Sequence, residues 1–269
     1  MGLAIIIPIL RPLNIPGLQE NDVTKGVFDC IDKLPERSVV LISFDFDPAA
    51  KPELYPAGLV LVRHAFKKNL RVIGMTLVVT GVGMAHEIMT TAAKDYGKED
   101  TKDYVFLGWK PGGATLILGM GESIAKQIPT DWQNRSIANM PVMEGVKSLK
   151  DVNYLVCLSA SAGVEGWVLY AADKYKIPIG GGCTMIVEPI LRTWYQSGQI
   201  TGIIGGMRGA AEYEKLLKKP DKATGGMDSL SIGHFLIIFL ILLSNIVYFL
   251  CSQGADSKGK KSSVGEEKK

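Results

Sequence analysis

Two aspartates, Asp45 and Asp47, close the apolar run at residues 38–46 (SVVLISFDF) and form the most chemical-looking pair in the chain. A strand that delivers two carboxylates to its carboxyl end offers a nucleophile, a proton-transfer group and ligands for a divalent metal. Few other groups stand ready to join them. His64 and His86 fall inside helical stretches, and His234 borders a long apolar run. Ser159 and Ser161 follow another apolar run without a histidine partner. Cys183 comes after three glycines at a strand end, where a thiolate could be stabilised, although a small packed thiol fits the same place. Cys30, Cys157, Cys183 and Cys251 are far apart and contain no Cys-x-x-Cys, so neither a disulfide framework nor a zinc site is expected. Gly119-Met120-Gly121 lacks the third glycine and the later acid of a dinucleotide fingerprint, and there is no Walker A or Gly-x-Ser-x-Gly motif. Asn134-Arg135-Ser136 matches a glycosylation sequon.

The elements that must position these groups alternate. Strands are expected at 38–46, 71–79, 104–109 and 152–158, with a fifth beginning at 177–179 and a sixth at 200–204. Helices are expected at 23–34, 54–70, 83–96, within 114–127, and at 164–175, 188–197 and 208–217. Such repeats predict an α/β fold, a doubly wound and mostly parallel sheet in three layers, of flavodoxin or Rossmann type. Residues 129–150 break the rhythm, and Trp132, Met140 and Met143 give them apolar side chains. They are read either as a lid or partner surface, or as an extra element packed on the sheet.

In an open parallel sheet, ligands bind beyond the carboxyl ends of the strands. The loops expected there are rich in small residues, whose backbone N–H groups suit an anion. The candidate ligand-binding residues are Thr80, Gly81, Gly112, Gly113, Ser159, Ser161, Gly181, Gly182, Gly205, Gly206 and Arg208. Asp45 and Asp47 are the candidate catalytic and metal-binding residues.

The run at 232–251 (IGHFLIIFLILLSNIVYFLC) carries no formal charge and is long enough to cross a bilayer once. Asn245 within it would seek a hydrogen-bond partner, either on another helix or on its own backbone. At the other end, 1–16 form an apolar segment, expected to be the end of a membrane span. The domain at 17–219, a linker at 220–231, the span and a disordered Lys-rich tail at 252–269 complete the layout. By the positive-inside rule the tail prefers the cytoplasm and the domain lies outside it. A tail-anchored cytosolic domain is the alternative.

Composition narrows the partners. Of 269 residues, 47% are hydrophobic and 21% charged, which excludes a disordered chain. Thirty basic residues against 27 acidic ones make no strong field, so nucleic acid is not expected as a partner.

The apolar strand ending in Asp45-Phe46-Asp47 resembles the opening motif of haloacid-dehalogenase-like phosphatases, in which the first Asp attacks phosphorus and the second handles the leaving-group proton beside a metal. The chain departs from that pattern at Ala49, and no later acidic pair for magnesium follows an apolar strand. Over nearly its whole length, through VVLISFDFDPAAKPEL, GGMRGAAEYEKL and GMDSLSIGHFLIIFLIL, the chain resembles a group of uncharacterised prokaryotic membrane proteins. More distantly it is similar to the flavodoxin-like domain of ABC-transporter auxiliary proteins. The resemblance to the membrane proteins implies a tethered extracytoplasmic domain and carries no activity with it. The resulting expectation is a membrane-tethered, non-catalytic binding or assembly subunit. Its partners would be a small anionic ligand, other membrane subunits or further copies of itself. A hydrolase using Asp45, Asp47 and a divalent metal, or a purely structural self-assembling subunit, is the alternative.

Overall fold

The structure is a computed structural model and describes residues 8, 12–13 and 21–263. The expected N-terminal apolar segment therefore lies, apart from residues 8, 12 and 13, outside the described residues. Six strands, β1 (Val39–Asp45), β2 (Arg71–Thr76), β3 (Tyr104–Trp109), β4 (Tyr154–Ser159), β5 (Ile179–Cys183) and β6 (Ile203–Gly205), pair in parallel in the order β3-β2-β1-β4-β5-β6. The helices are α1 (Asp22–Asp32), α2 (Lys51–Lys67), α3 (Val82–Tyr96), α4 (Gly113–Glu122), α5 (Ile124–Gln127), α6 (Gly163–Trp167), α7 (Asp173–Tyr175), α8 (Glu188–Gln196), α9 (Gly206–Leu217) and α10 (Lys222–Ser263). This is the expected three-layer α/β fold, and the strand order reverses between β1 and β4.

The strands are apolar on both faces because both faces are covered. Val40, Ile42 and Phe44 turn with Val156 and Leu158 toward α2, α3 and α9. Val39, Leu41, Leu155 and Cys157 turn the other way, toward α4, α5, α6 and α8. The sheet edges are closed as well, which removes two templates for unwanted strand pairing. Helix α1 lies along β6, with Gly26 and Gly202 leaving room where a β-carbon would strike the opposing backbone. Residues 129–150 run along β3 instead of standing off as a lid. The Trp132 amide donates to the Phe106 carbonyl (3.1 Å) and the Val142 amide to the Thr101 carbonyl (3.0 Å). Met140, Val142 and Met143 are buried there.

Some boundaries differ from expectation for local reasons. Strand β2 stops at Thr76 because its hydroxyl accepts the Val78 amide (3.0 Å) and turns the chain. Strand β5, expected to begin at 177–179, starts at Ile179 and runs through the three glycines to Cys183. The helix expected at 164–175 is divided by a π-helical turn, Val168–Ala172, between α6 and α7.

The largest departure is at 220–231, which form the packed root of α10 rather than a linker. Buried Glu214 accepts the amides of Asp221 (2.8 Å), Ala223 (2.9 Å) and Thr224 (2.9 Å), and the Thr224 hydroxyl (2.6 Å). It thereby satisfies the exposed donors at a helix start from outside that helix. Arg63 of α2 joins Asp95 of α3 to Asp221 just before α10. Ala223, Thr224 and Asp228 are buried, and Asp228 accepts the Leu13 amide (2.7 Å). The helix continues to Ser263, into the stretch expected to be a disordered tail. Its part Lys222–Phe249 is long and apolar enough to cross a membrane, and its most apolar stretch is not buried by the domain.

Candidate functional site

At the switch point between β1 and β4, Asp45 is 4% exposed, and both of its oxygens are engaged. Oδ1 accepts the Leu77 amide (2.7 Å). Oδ2 accepts the Ser43 hydroxyl (2.8 Å), the Trp167 indole N–H (3.1 Å) and the Cys157 thiol (3.4 Å). Burial pushes its pKa up, against the four donors that favour the charge. The group ties β1 to the exit of β2, to β4 and to α6, and at 4% exposure it is held inside the sheet rather than presented at the surface. Asp47 is exposed, and its Oδ1 accepts the amides of Ala49 (3.0 Å) and Ala50 (3.3 Å), capping the 3₁₀ turn Pro48–Ala50. The two candidate catalytic carboxylates are thus a core polar group and a turn cap. No group of three or more His, Cys, Asp or Glu among the described residues could hold a metal.

The expected ligand-binding residues separate into four places. Thr80, Gly112 and Gly113 are exposed, and Gly81 is buried, on the β2–β3 side of the carboxyl edge. Ser159 is buried, and its hydroxyl accepts the Ser161 amide (3.1 Å) at the switch point. Gly181 and Gly182 lie inside β5, where Val164, Leu191 and Leu158 fill the space a side chain would take, so no ligand reaches them. Cys183 is buried too, and burial pushes its thiol pKa up to about 12, which corrects the idea of an exposed thiolate.

The fourth place is a cavity. Gly205 and Arg208 line a cavity of about 200 Å³ at the carboxyl end of β6, with Asn21, Thr24, Glu188, Arg192 and Glu212; Gly206 adjoins it through Glu53 and Met185. Two ion pairs, each four residues apart on its helix, face this space. Arg192 donates through Nε (3.0 Å) and Nη2 (2.6 Å) to Glu188 on α8. Arg208 donates through Nε (3.0 Å) to Glu212 on α9, and the Thr24 hydroxyl donates to the other Glu212 oxygen (2.8 Å). Glu212 is 2% exposed, while the Arg208 side chain paired with it is about half exposed. Planar guanidinium groups of this kind grip a carboxylate or phosphate by paired bonds. Sequence reasoning found Gly205, Gly206 and Arg208 and missed Asn21, Thr24, Glu188, Arg192 and Glu212. The available signal was the mirrored spacing, Glu-x-x-x-Arg at the start of α8 and Arg-x-x-x-Glu at the start of α9.

Asn245 donates its Nδ2 to the Ile241 carbonyl (2.9 Å), the own-backbone option for that residue. No protein-family model matches the chain, and no curated protein matches it.

Proposed function

We propose that the protein is a membrane-tethered, non-catalytic binding subunit that takes a small anionic ligand at the carboxyl end of β6. The observation that carries this reading is the cavity walled by Arg192–Glu188 and Arg208–Glu212. Four charges that sum to zero favour a small ligand bearing an acidic group for the guanidinium and a donor for the carboxylates over a bare anion. The engagement of Asp45 in the core argues against the hydrolase alternative, since a nucleophile must be accessible to its substrate and Asp45 is buried among four donors. Helix α10 provides the tether, with the Lys-rich tail on the cytoplasmic side and the α/β domain on the other. Other membrane subunits, or further copies of the chain, are the partners in this reading.

The test is calorimetry on the full-length protein in detergent micelles, titrated with inorganic phosphate, nucleotides and di- and tricarboxylates. Saturable binding weakened about tenfold or more by Arg208→Ala is the expected result. Flat titrations across that panel, or binding indifferent to Arg192→Ala and Arg208→Ala, would remove the ligand from the account.

A further inference from the structure

The exposed large apolar side chains of the α/β domain include Trp132, Leu169 and Tyr170, and a larger group at one edge of the sheet. At the carboxyl edge stand Val79 after β2, Trp109 at the end of β3, and Met185, Ile186 and Ile190 after β5. Ile186, in the turn that leads into α8, is 88% exposed, and Ile190, in the first turn of α8, is exposed as well. The loops at the amino edge carry no exposed large apolar side chain among the described residues and present charges such as Lys33, Arg37, Lys102 and Lys176, while the carboxyl edge carries Asp47, Lys51 and Arg208 beside its apolar side chains. An 88% exposed isoleucine flanked by two more exposed apolar residues has no role in the domain's own core.

The course of α10 shows what lies opposite this edge. The helix starts beside Glu214, near the end of α9, and two residues after Thr224 it lies against Met207, in the first turn of α9. There the Met207 sulfur lies against Gly226, and Met207 follows Gly206, whose neighbour across the loop is Met185. Helix α10 therefore runs antiparallel to α9 and leaves the domain at the carboxyl edge, beside the Met185–Ile190 turn. From Gly226 to Leu230 and Ile232, where the apolar run begins, is about 6–9 Å at 1.5 Å per residue. The polar headgroup layer adds about 5–8 Å to each side of the hydrocarbon core. The two lengths match.

We infer that the carboxyl edge of the sheet rests on the bilayer surface, with Met185, Ile186 and Ile190 immersed in the lipid interface. This inference rests on the reading of α10 as a tether. The occupant of the apolar patch is lipid, because the helix root is fixed to α9 and holds the patch at headgroup depth. In this arrangement the Arg192–Arg208 cavity opens beside the membrane rather than into bulk water.

The experiment places a fluorophore on Ile186→Cys, and in a separate protein on Lys176→Cys at the opposite edge, in full-length chains carrying Cys30→Ala and Cys251→Ala. Cys157 and Cys183 stay in place because both are buried. Each protein is reconstituted into phosphatidylcholine–phosphatidylglycerol vesicles containing lipid-borne nitroxide quenchers. Quenching several-fold stronger at 186 than at 176 is expected, with water-soluble iodide showing the reverse order. Equal and purely aqueous quenching at both sites, in protein that resists alkaline extraction, would overturn the inference and leave the tether intact. Release of the protein by alkaline extraction would overturn the tether reading and this inference with it. Shielding of 186 from both quenchers, with cross-links between chains, would put a second copy on the patch and overturn the lipid assignment. Ile186→Asp in otherwise wild-type protein is a second check that leaves the core untouched. Its α/β domain should show faster proteolysis in vesicles than wild type, and an unchanged rate would count against lipid contact.

Discussion

The Met207 side chain, in the first turn of α9, packs against Gly226, in the second turn of α10, so closely that a β-carbon at 226 would collide with the sulfur. This contact, with the Glu214 cap below it and the Leu13–Asp228 bond above it, makes the start of the apolar helix part of the α/β domain. The orientation of the domain relative to its helix is therefore a property of packed side chains, and it is testable at single residues.

Gly226→Leu should destabilise the α/β domain by about 1–3 kcal/mol, the usual cost of forcing extra methylenes into a packed site. In combination with Met207→Ala much of that loss should return, because the new side chain can occupy the vacated space. Thermal unfolding of the two single variants and the double variant in detergent measures the coupling. Strict additivity would mean that the two helices do not touch at this point.

Asp45 and Asp47 should behave as structural groups of unequal weight. Asp45→Ala strands the Leu77 amide and the Trp167 indole N–H in the core, and should cost on the order of 2–4 kcal/mol, with relief of the buried charge offsetting part of the loss. Asp47→Ala removes an exposed turn cap and should cost about 1 kcal/mol. Denaturant titration of both variants checks the order. A phosphate-releasing activity lost in Asp45→Asn at unchanged stability would restore the hydrolase.

His64 supplies a pH signature. It is buried, stacked on Phe28 at 4.4 Å, and its Nδ1 lies 2.8 Å from the Tyr213 hydroxyl. Burial lowers its pKa from 6.5 to about 4, outweighing Asp32 at 3.4 Å. The unfolded chain takes up a proton below about pH 6.5, while the folded one stays neutral down to about 4. Stability is thus lost as pH falls through that window, by up to about 3 kcal/mol from this residue. His64→Phe keeps a ring against Phe28 and removes the titration, so its unfolding midpoint should depend less on pH between 4 and 6.5. Parallel slopes for variant and wild type would contradict the assignment.

The layered fold was legible in the sequence because strands buried on both faces are continuous apolar runs, and VVLIS or YLVCL can be little else. The carboxyl-edge site was legible only in part. Glycines mark close packing as readily as they mark a ligand loop, and at Gly181 and Gly182 the packing partners Val164 and Leu158 are distant in the chain. Asp45 looked catalytic for a similar reason. Its donors arrive from Leu77, Cys157 and Trp167, three segments that only the folded sheet brings together. The root of α10 was missed because Lys222–Ser229 is Gly-rich and weakly apolar. Its order comes from Glu214 and Met207 on the preceding helix rather than from its own propensity.

The most direct measurement is a cross-link between the ends of the contact that fixes the domain on its helix. The full-length protein with Met207→Cys and Gly226→Cys, in the Cys30→Ala and Cys251→Ala background, is oxidised in lipid vesicles and then probed with a maleimide. The packing of α10 on α9 predicts that both introduced thiols disappear together while the chain stays monomeric, and that reduction restores them. Thiols that remain reactive after oxidation, or that join one chain to another, would mean that 220–231 is a free connection and that nothing holds the carboxyl edge toward the bilayer.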